Sequence, residues 1–259
     1  PDWVQVVRVF LSEPSHSFAS YRTRLAAPKE DQALPLRRLL LSDAAVPQVC
    51  QAVFDAVMKN GASAHGVSSV IALAASDLLQ GVGDDDAFVA ASHALLFAAA
   101  TRIVYLQVQE VEALPLLLTA ACAVNAMHKD LAQASQAAPS TASAPSRSSV
   151  LGGGLIAPAL LESLGEQLDA QDLTGAFATA RRYLQLGHDA RALFAIIARS
   201  AAQADAAADG GHTLQIVQAA GETFLAWPTA LRSTTIDGLL HTALRAAAFA
   251  KRNTLTAGL

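Results

Sequence analysis

The second half of this chain repeats the residue order of the first half, and this repetition restricts the fold more than any other feature. Matching residues recur at an offset of 123 positions, which becomes 119 between two loops of unequal length. The matches least expected by chance are Phe54 with Phe177, His65 with His188, His93 with His212, and the pattern LLxTA at 116–120 with its copy at 239–243. Because self-similarity at a fixed period is typical of tandem supersecondary units, we expect two copies that pack against each other.

The composition and the periodicity indicate that both copies are helical. Apolar residues make up 53% and charged residues 15% of the chain, and alanine, which costs least in a helix, dominates. Val49, Val53, Phe54 and Val57 follow the spacing of one helix face, whereas the alternating pattern of strands is scarce. We therefore predict an all-α protein, a helical bundle or short solenoid made of two tandem pseudo-two-fold repeats of about four helices each.

Proline, glycine and serine mark the boundaries between segments. Pro14, Pro28 and Pro35 interrupt the first 42 residues, of which only 3–11 are suited to a short strand or an entering helix. A run rich in Ser, Ala, Pro and Gly separates the two copies and is typical of a flexible linker. The predicted organisation is an irregular N-terminal segment (1–42), copy 1 (43–131), a linker (132–157), copy 2 (158–252) and a tail (253–259).

Within the copies, helix ends are predicted from Gly, Asn and Pro in the connecting loops. The predicted helices span residues 43–60, 66–79, 84–108, 115–130, 160–168, 173–186, 190–204, 210–225 and 235–252.

Neither a membrane span nor a signal peptide is expected, and the predicted location is cytoplasmic. The longest apolar stretch, 87–108, contains His93, Arg102 and Gln107. An arginine deep within a bilayer costs about 3 kcal/mol or more, so a helix buried in a bundle explains this stretch better.

Several classes of ligand are excluded by charge and motif. The net charge is −4 and the basic residues are scattered, so no nucleic-acid partner is expected. Gly152, Gly153 and Gly154 lack a following GK[ST], and no GxGxxG follows a strand, so no nucleotide cofactor is expected. Cys50 and Cys122 are too few and too far apart for a metal cluster or a disulfide framework, and both are interpreted as core residues.

The histidines are the strongest candidates for chemistry, because polar groups in an apolar bundle are costly without a role. At 1.5 Å per residue, His93 and His128 come out level on antiparallel helices, as do Glu222 and His241 in the second copy. Pairing across the copies would join His93 to His212, or His65 to His188. The predicted metal ligands are His65, His93, His128, His188, His212, Glu222 and His241.

Each of these residues also has a structural interpretation. His65 and His188 follow helix ends and suit backbone capping, and His128 suits a solvated helix end. His93 and His212 suit core positions in which a neighbour satisfies their hydrogen bonds. Glu222 and His241 suit an exposed polar pair. His16, among Ser and Pro, is expected at the surface.

Two functions are compatible with this pattern. Imidazole with carboxylate suits iron, manganese or zinc, which predicts a metal-dependent oxidoreductase of the non-haem iron type acting on a small organic substrate, with its site between the copies. The alternative is a non-catalytic helical scaffold or accessory domain that binds a protein or an apolar ligand. An oligomer is compatible with either function.

Overall fold

The computed structural model describes residues 2–21, 29–108, 111–137, 156–203 and 210–256. This part of the chain is all-helical, with 81% helix and no strand. Its eleven α-helices are α1 Asp2–Ser12, α2 Leu34–Leu40, α3 Val46–Met58, α4 Ala64–Gly81, α5 Asp85–Val108, α6 Pro115–Ala137, α7 Ala157–Asp169, α8 Leu173–Gln185, α9 Ala190–Ala201, α10 His212–Leu225 and α11 Asp237–Thr256. The all-α prediction is confirmed.

The first 42 residues contain α1 and α2. Of the two alternatives left open for residues 3–11, the entering helix is present as α1, whereas α2 stands where irregular structure was expected. Val7 and Phe10 lie three residues apart and are buried on one face of α1, which explains why residues 3–11 form a helix rather than a strand. Pro35 lies in the first turn of α2, where a missing N–H breaks no helical hydrogen bond. Of the predicted linker, residues 138–155 lie outside the described part of the chain, and α6 continues to Ala137.

The chain divides into two compact units. Unit 1 comprises Pro1–Pro139 together with Ala226–Ile236, and unit 2 comprises Ser140–Leu225 together with Asp237–Leu259. Unit 1 therefore contains α1 to α6, and unit 2 contains α7 to α11.

In unit 1, α6 packs against all five other helices, and α4, the other central helix, packs against α2, α3, α5 and α6. Helix α4 is buried on nearly all sides, because alanine, serine and glycine at its surface allow neighbouring helices to approach closely. Arg37 of α2 holds Asp77 of α4 in a bidentate ion pair, with Nε–Oδ2 at 2.6 Å and Nη2–Oδ1 at 3.0 Å. These contacts fix α2 against α4.

In unit 2, each helix has one buried face. Leu160, Leu164 and Leu168 lie at intervals of four and form the buried stripe of α7. The last helix, α11, packs against α7, α8, α9 and α10 and takes the central position. The core of unit 2 is therefore built around α11.

Two segments are long and apolar enough to cross a membrane by length and composition: Asp85–Val108 and Val111–Ala134. In each segment, half of the most apolar stretch of 18 residues is buried within the chain. Core helices of soluble proteins have the same properties, so the absence of a membrane span stays a prediction.

Candidate functional site

Three of the predicted metal ligands lie in unit 1. His65 is the second residue of α4 and is half-buried, while His128 is half-buried on α6. His93 is exposed on α5, with Nδ1 at 3.1 Å from the Ala90 carbonyl oxygen. A core position for His93 is wrong, because the buried face of α5 is formed by other residues: Phe88, Ala91, Ser92, Ala94, Leu95, Ala98, Ala99, Thr101 and Arg102.

The other four lie in unit 2: His188, His212, Glu222 and His241. His188 precedes α9 and its ring lies 4.9 Å from that of Tyr183. His212 is the first residue of α10, at its solvent-accessible end rather than in the core. Glu222 accepts a hydrogen bond from Gln218 Nε2 at 2.8 Å, and His241 packs edge-on against Phe177 of α8 at 5.7 Å.

These positions give the metal hypothesis no geometric support. Within the described residues, no group of three or more His, Cys, Asp or Glu side chains could hold a metal ion. Each pair predicted across the copies, His93 with His212 and His65 with His188, has one member in each unit. A catalytic zinc or non-haem iron site needs three protein ligands around one ion.

A buried polar cluster that the sequence did not predict lies at the N-terminus of α4. Glu30 is only 6% exposed, and its Oε1 accepts a hydrogen bond from the Ser63 N–H at 3.2 Å. Ser63 caps α4 by accepting a hydrogen bond from the Gly66 N–H at 2.9 Å. A carboxylate at this position is stabilised by the positive end of the helix dipole.

The same cluster includes an imidazole and a guanidinium. Burial lowers the pKa of His65 below its ordinary value of 6.5, and the charge of Arg102, which is 3% exposed on α5, lowers it further. A hydrogen bond with the backbone of Ala226 and the charge of Glu30 act in the opposite direction. Because these charges lie inside the helical packing of unit 1, we interpret the cluster as structural.

His16 is also placed differently from the prediction. Its side chain is 14% exposed and stacks on Phe10 with ring centroids 3.6 Å apart, and Nδ1 lies 3.0 Å from the Phe10 carbonyl oxygen. The ring also meets Phe54 edge-on at 5.5 Å. The expected surface position for His16 is wrong, because the short turn after α1 folds the ring onto this aromatic cluster.

A surface cleft of about 770 Å³ lies beside α2 and is lined by Asp31, Arg37, Arg38 and Asp77 among others. Arg37 is engaged within the fold, since it pairs with Asp77 and donates to the Thr235 carbonyl oxygen at 3.1 Å. Arg37 and Asp77 are therefore engaged with each other and with the backbone of unit 1.

The most distinctive surface of unit 1 is one side of α5. Phe97, Ala100, Val104 and Val108 are exposed and lie three or four residues apart, so they form one continuous stripe, which we call the α5 apolar face. Phe97 is 37%, Val104 38% and Val108 50% exposed. From Phe97 to Val108 the stripe is about 17 Å long at the helical rise per residue.

The α5 apolar face carries no charged side chain. Between Ala87 and Val108 the single charged residue is Arg102, and it is buried on the opposite side of the helix. A helix that is apolar on all sides is normally covered on all sides, whereas among the described residues α4 and α6 pack on one side of α5 and Tyr21 contacts Tyr105. Exposed apolar patches of this kind are typical of interaction sites.

Comparison with known proteins does not assign the chain to a family: no protein-family model, curated protein or solved structure matches it.

Proposed function

We propose that this chain is a non-catalytic helical scaffold or accessory domain that binds a protein partner through the α5 apolar face. The observation that carries the proposal is the exposure of Phe97, Val104 and Val108 in one uncharged stripe. The occupant is an amphipathic helix of a second protein, because a stripe about 17 Å long matches three turns of such a helix. The partner would contribute its own apolar residues at intervals of three and four.

A protein partner fits the α5 apolar face better than a lipid surface. Helices that lie in a membrane interface carry Lys and Arg on the polar side, where they meet anionic headgroups. The only basic residue of α5 is Arg102, which is 3% exposed, and the net charge of the chain is −4. These charges offer no electrostatic attraction to an anionic membrane.

The proposal is tested by placing a photo-crosslinking amino acid at position 97 of the full chain, in the cells that make it. The crosslinked protein is identified by mass spectrometry, and the purified partner is then titrated against the chain by calorimetry. The crosslinked peptide is expected to come from an amphipathic helix. Val104→Asp is expected to weaken binding by roughly 30-fold or more, since it places a charge in the centre of an apolar contact.

Val9→Asp is the matched control, because Val9 is a 53% exposed valine on α1 of the same unit. It is expected to leave the affinity unchanged. Equal losses for Val9→Asp and Val104→Asp would contradict the proposal. So would a dimer of this chain that Val104→Asp dissociates, or lipid vesicles that bind wild type and not Val104→Asp.

We also infer that the two units are copies of one five-helix arrangement, α2 to α6 and α7 to α11. The support is the pattern of packing within each unit. Every contacting pair among α2, α3, α4, α5 and α6 has its counterpart among α7, α8, α9, α10 and α11 in the same order. An experimentally determined structure in which the five helices of one unit do not superpose on those of the other would contradict the duplication.

The metal-dependent oxidoreductase predicted from the histidines stays a prediction, and no observation in the described residues favours it.

A further inference from the structure

The only two cysteines of the chain lie side by side in the core of unit 1. Cys50 is on α3 and Cys122 is on α6, 72 positions apart in sequence, and their Sγ atoms are 3.5 Å apart. Cys50 is 0% and Cys122 1% exposed. A disulfide has an S–S distance of about 2.05 Å, so the two sulfurs need to approach by about 1.5 Å.

The surrounding contacts hold these two helices in register. On α6, Asn125 and Lys129 follow Cys122 on the same face, at intervals of three and four. Asn125 Nδ2 donates to the Ser42 carbonyl oxygen at 2.8 Å, and Lys129 Nζ donates to the Ala44 carbonyl oxygen at 2.5 Å. Both acceptors lie in the loop that leads into α3, so the polar contacts fix α3 against α6 near the sulfurs.

We propose that Cys50 and Cys122 form an intramolecular disulfide when the chain meets a small-molecule disulfide such as glutathione disulfide. The Cys50 thiolate attacks one sulfur of glutathione disulfide, and one glutathione leaves as a thiol. The Cys122 thiolate then attacks the Cys50 sulfur of the mixed disulfide, and the second glutathione leaves. The two cysteines lose two protons and two electrons, which the two departing glutathione molecules carry.

In the folded chain the two thiols are not equivalent. The hydrogen bond from Cys122 lowers the pKa of Cys50, whereas the same hydrogen bond and burial raise the pKa of Cys122. Because both sulfurs are buried, glutathione reaches them only when α3 separates from α6, as it does during folding, and this hydrogen bond is then broken. Attack by Cys122 first would give the same disulfide.

The bond would link α3 to α6 and enclose α4 and α5 in the loop between them. A loop of this length loses much conformational freedom in the unfolded chain when it is closed, so the folded state gains stability. This property is independent of the proposed function. It makes the stability of unit 1 depend on the redox state of its surroundings.

The test is to unfold the full chain with reductant and refold it either with reduced glutathione alone or with a mixture containing glutathione disulfide. After alkylation of remaining thiols, trypsin should release the fragments 39–59 and 103–129 joined by a disulfide in the oxidised sample only. The melting temperature of the oxidised chain is expected to be higher by roughly 5 to 10 °C.

Cys50→Ala and Cys122→Ala are the matched controls, and each should melt at the same temperature under both conditions. A second measurement, on the native chain incubated with glutathione disulfide without denaturant, should give the same linked fragments more slowly. Alkylated cysteines in the oxidised samples, glutathione adducts that persist, or disulfides between chains would each overturn the proposal.

Discussion

Glu30 packs its carboxylate directly against Gly66, at the point where any other residue would place its Cβ atom. The contact joins the short turn before α2 to the first turn of α4. Glu30 Oε1 is held by the Ser63 N–H, and Oε2 is buried without a hydrogen-bond partner among the described residues. The glycine at position 66 therefore leaves room for the Glu30 side chain, and its backbone angles do not demand a glycine.

Gly66→Ala should lower the free energy of unfolding by about 1–3 kcal/mol, since the added methyl group forces the Glu30 carboxylate out of its buried position. Gly81→Ala is the control, because Gly81 lies on the same helix with no atom within 4 Å of an added Cβ. It should be neutral or should stabilise the chain by up to about 1 kcal/mol. Urea denaturation measures the free energy of unfolding of both variants.

The role of the Glu30 contact is checked by repeating Gly66→Ala in a Glu30→Ala background. Removal of the carboxylate leaves room for the methyl group, so the cost of Gly66→Ala should largely disappear there. An equal cost in both backgrounds would show that Glu30 is not the cause.

The half-buried histidines make the stability of the chain depend on pH. Burial lowers the pKa of His241, and Arg245 lowers it further, just as burial and Arg102 lower the pKa of His65. Between the lowered pKa and the ordinary value of 6.5, the unfolded chain binds more protons than the folded chain. The free energy of unfolding should therefore fall as the pH decreases below about 6.5. Above that pH both histidines are neutral in the folded and the unfolded chain, and this loss of stability should be absent.

His241→Leu should weaken this dependence and raise the stability near neutral pH by about 1 kcal/mol, because it removes a buried Nδ1 that has no hydrogen-bond partner among the described residues. Leucine is the residue at the matching position of the first half, Leu118, which is 0% exposed. Urea denaturation from about pH 5 to pH 8 tests both effects. His93→Leu, at an exposed position on α5, controls for the loss of a histidine, and an equal change in both variants would contradict the assignment.

The helices from α3 onward could be predicted from the sequence because their signals are local. Gly61 and Gly187 adopt positive φ angles in the loops where helix ends were expected, and Pro115 begins α6. Gly210 and Gly211, predicted as the first residues of a helix, also adopt positive φ angles, and that helix begins only at His212. Such residues act within one or two turns of the backbone, so their effect does not depend on the tertiary fold.

The N-terminal helices could not be predicted in the same way. In α2, Pro35 and the adjacent Arg37 and Arg38 interrupt the apolar pattern, so the buried positions Leu36 and Leu40 do not stand out. Arg37 is tolerated in this helix because Asp77, forty positions later, neutralises it. Pro35 is compatible with the helix because it lies in the first turn of α2.

The candidate sites depended even more on contacts between distant residues. The rise per residue predicts how far along their helices His93 and His128 lie. It does not predict the rotation of each helix about its own axis, which determines whether a side chain faces the core or solvent. A helix such as α5, which is apolar on nearly all sides, gives no periodicity from which to infer that His93 faces solvent. The Glu30 cluster and the Cys50–Cys122 pair could not be predicted from the sequence either. Glu30 and Ser63 are 33 positions apart, and the two cysteines are 72 positions apart.

The metal content of the purified chain separates the two functions that the sequence left open. The full chain, purified without a histidine tag, should contain far less than one iron, manganese or zinc per molecule, because the described residues gather no three suitable ligands. A bound metal would stabilise the folded state, and its removal by a chelator would lower the melting temperature of the chain. Because no bound metal is expected, a chelator should leave the melting temperature unchanged. Near-stoichiometric metal that is lost from both His93→Ala and His212→Ala would instead support the oxidoreductase, and the α5 apolar face would then need another explanation.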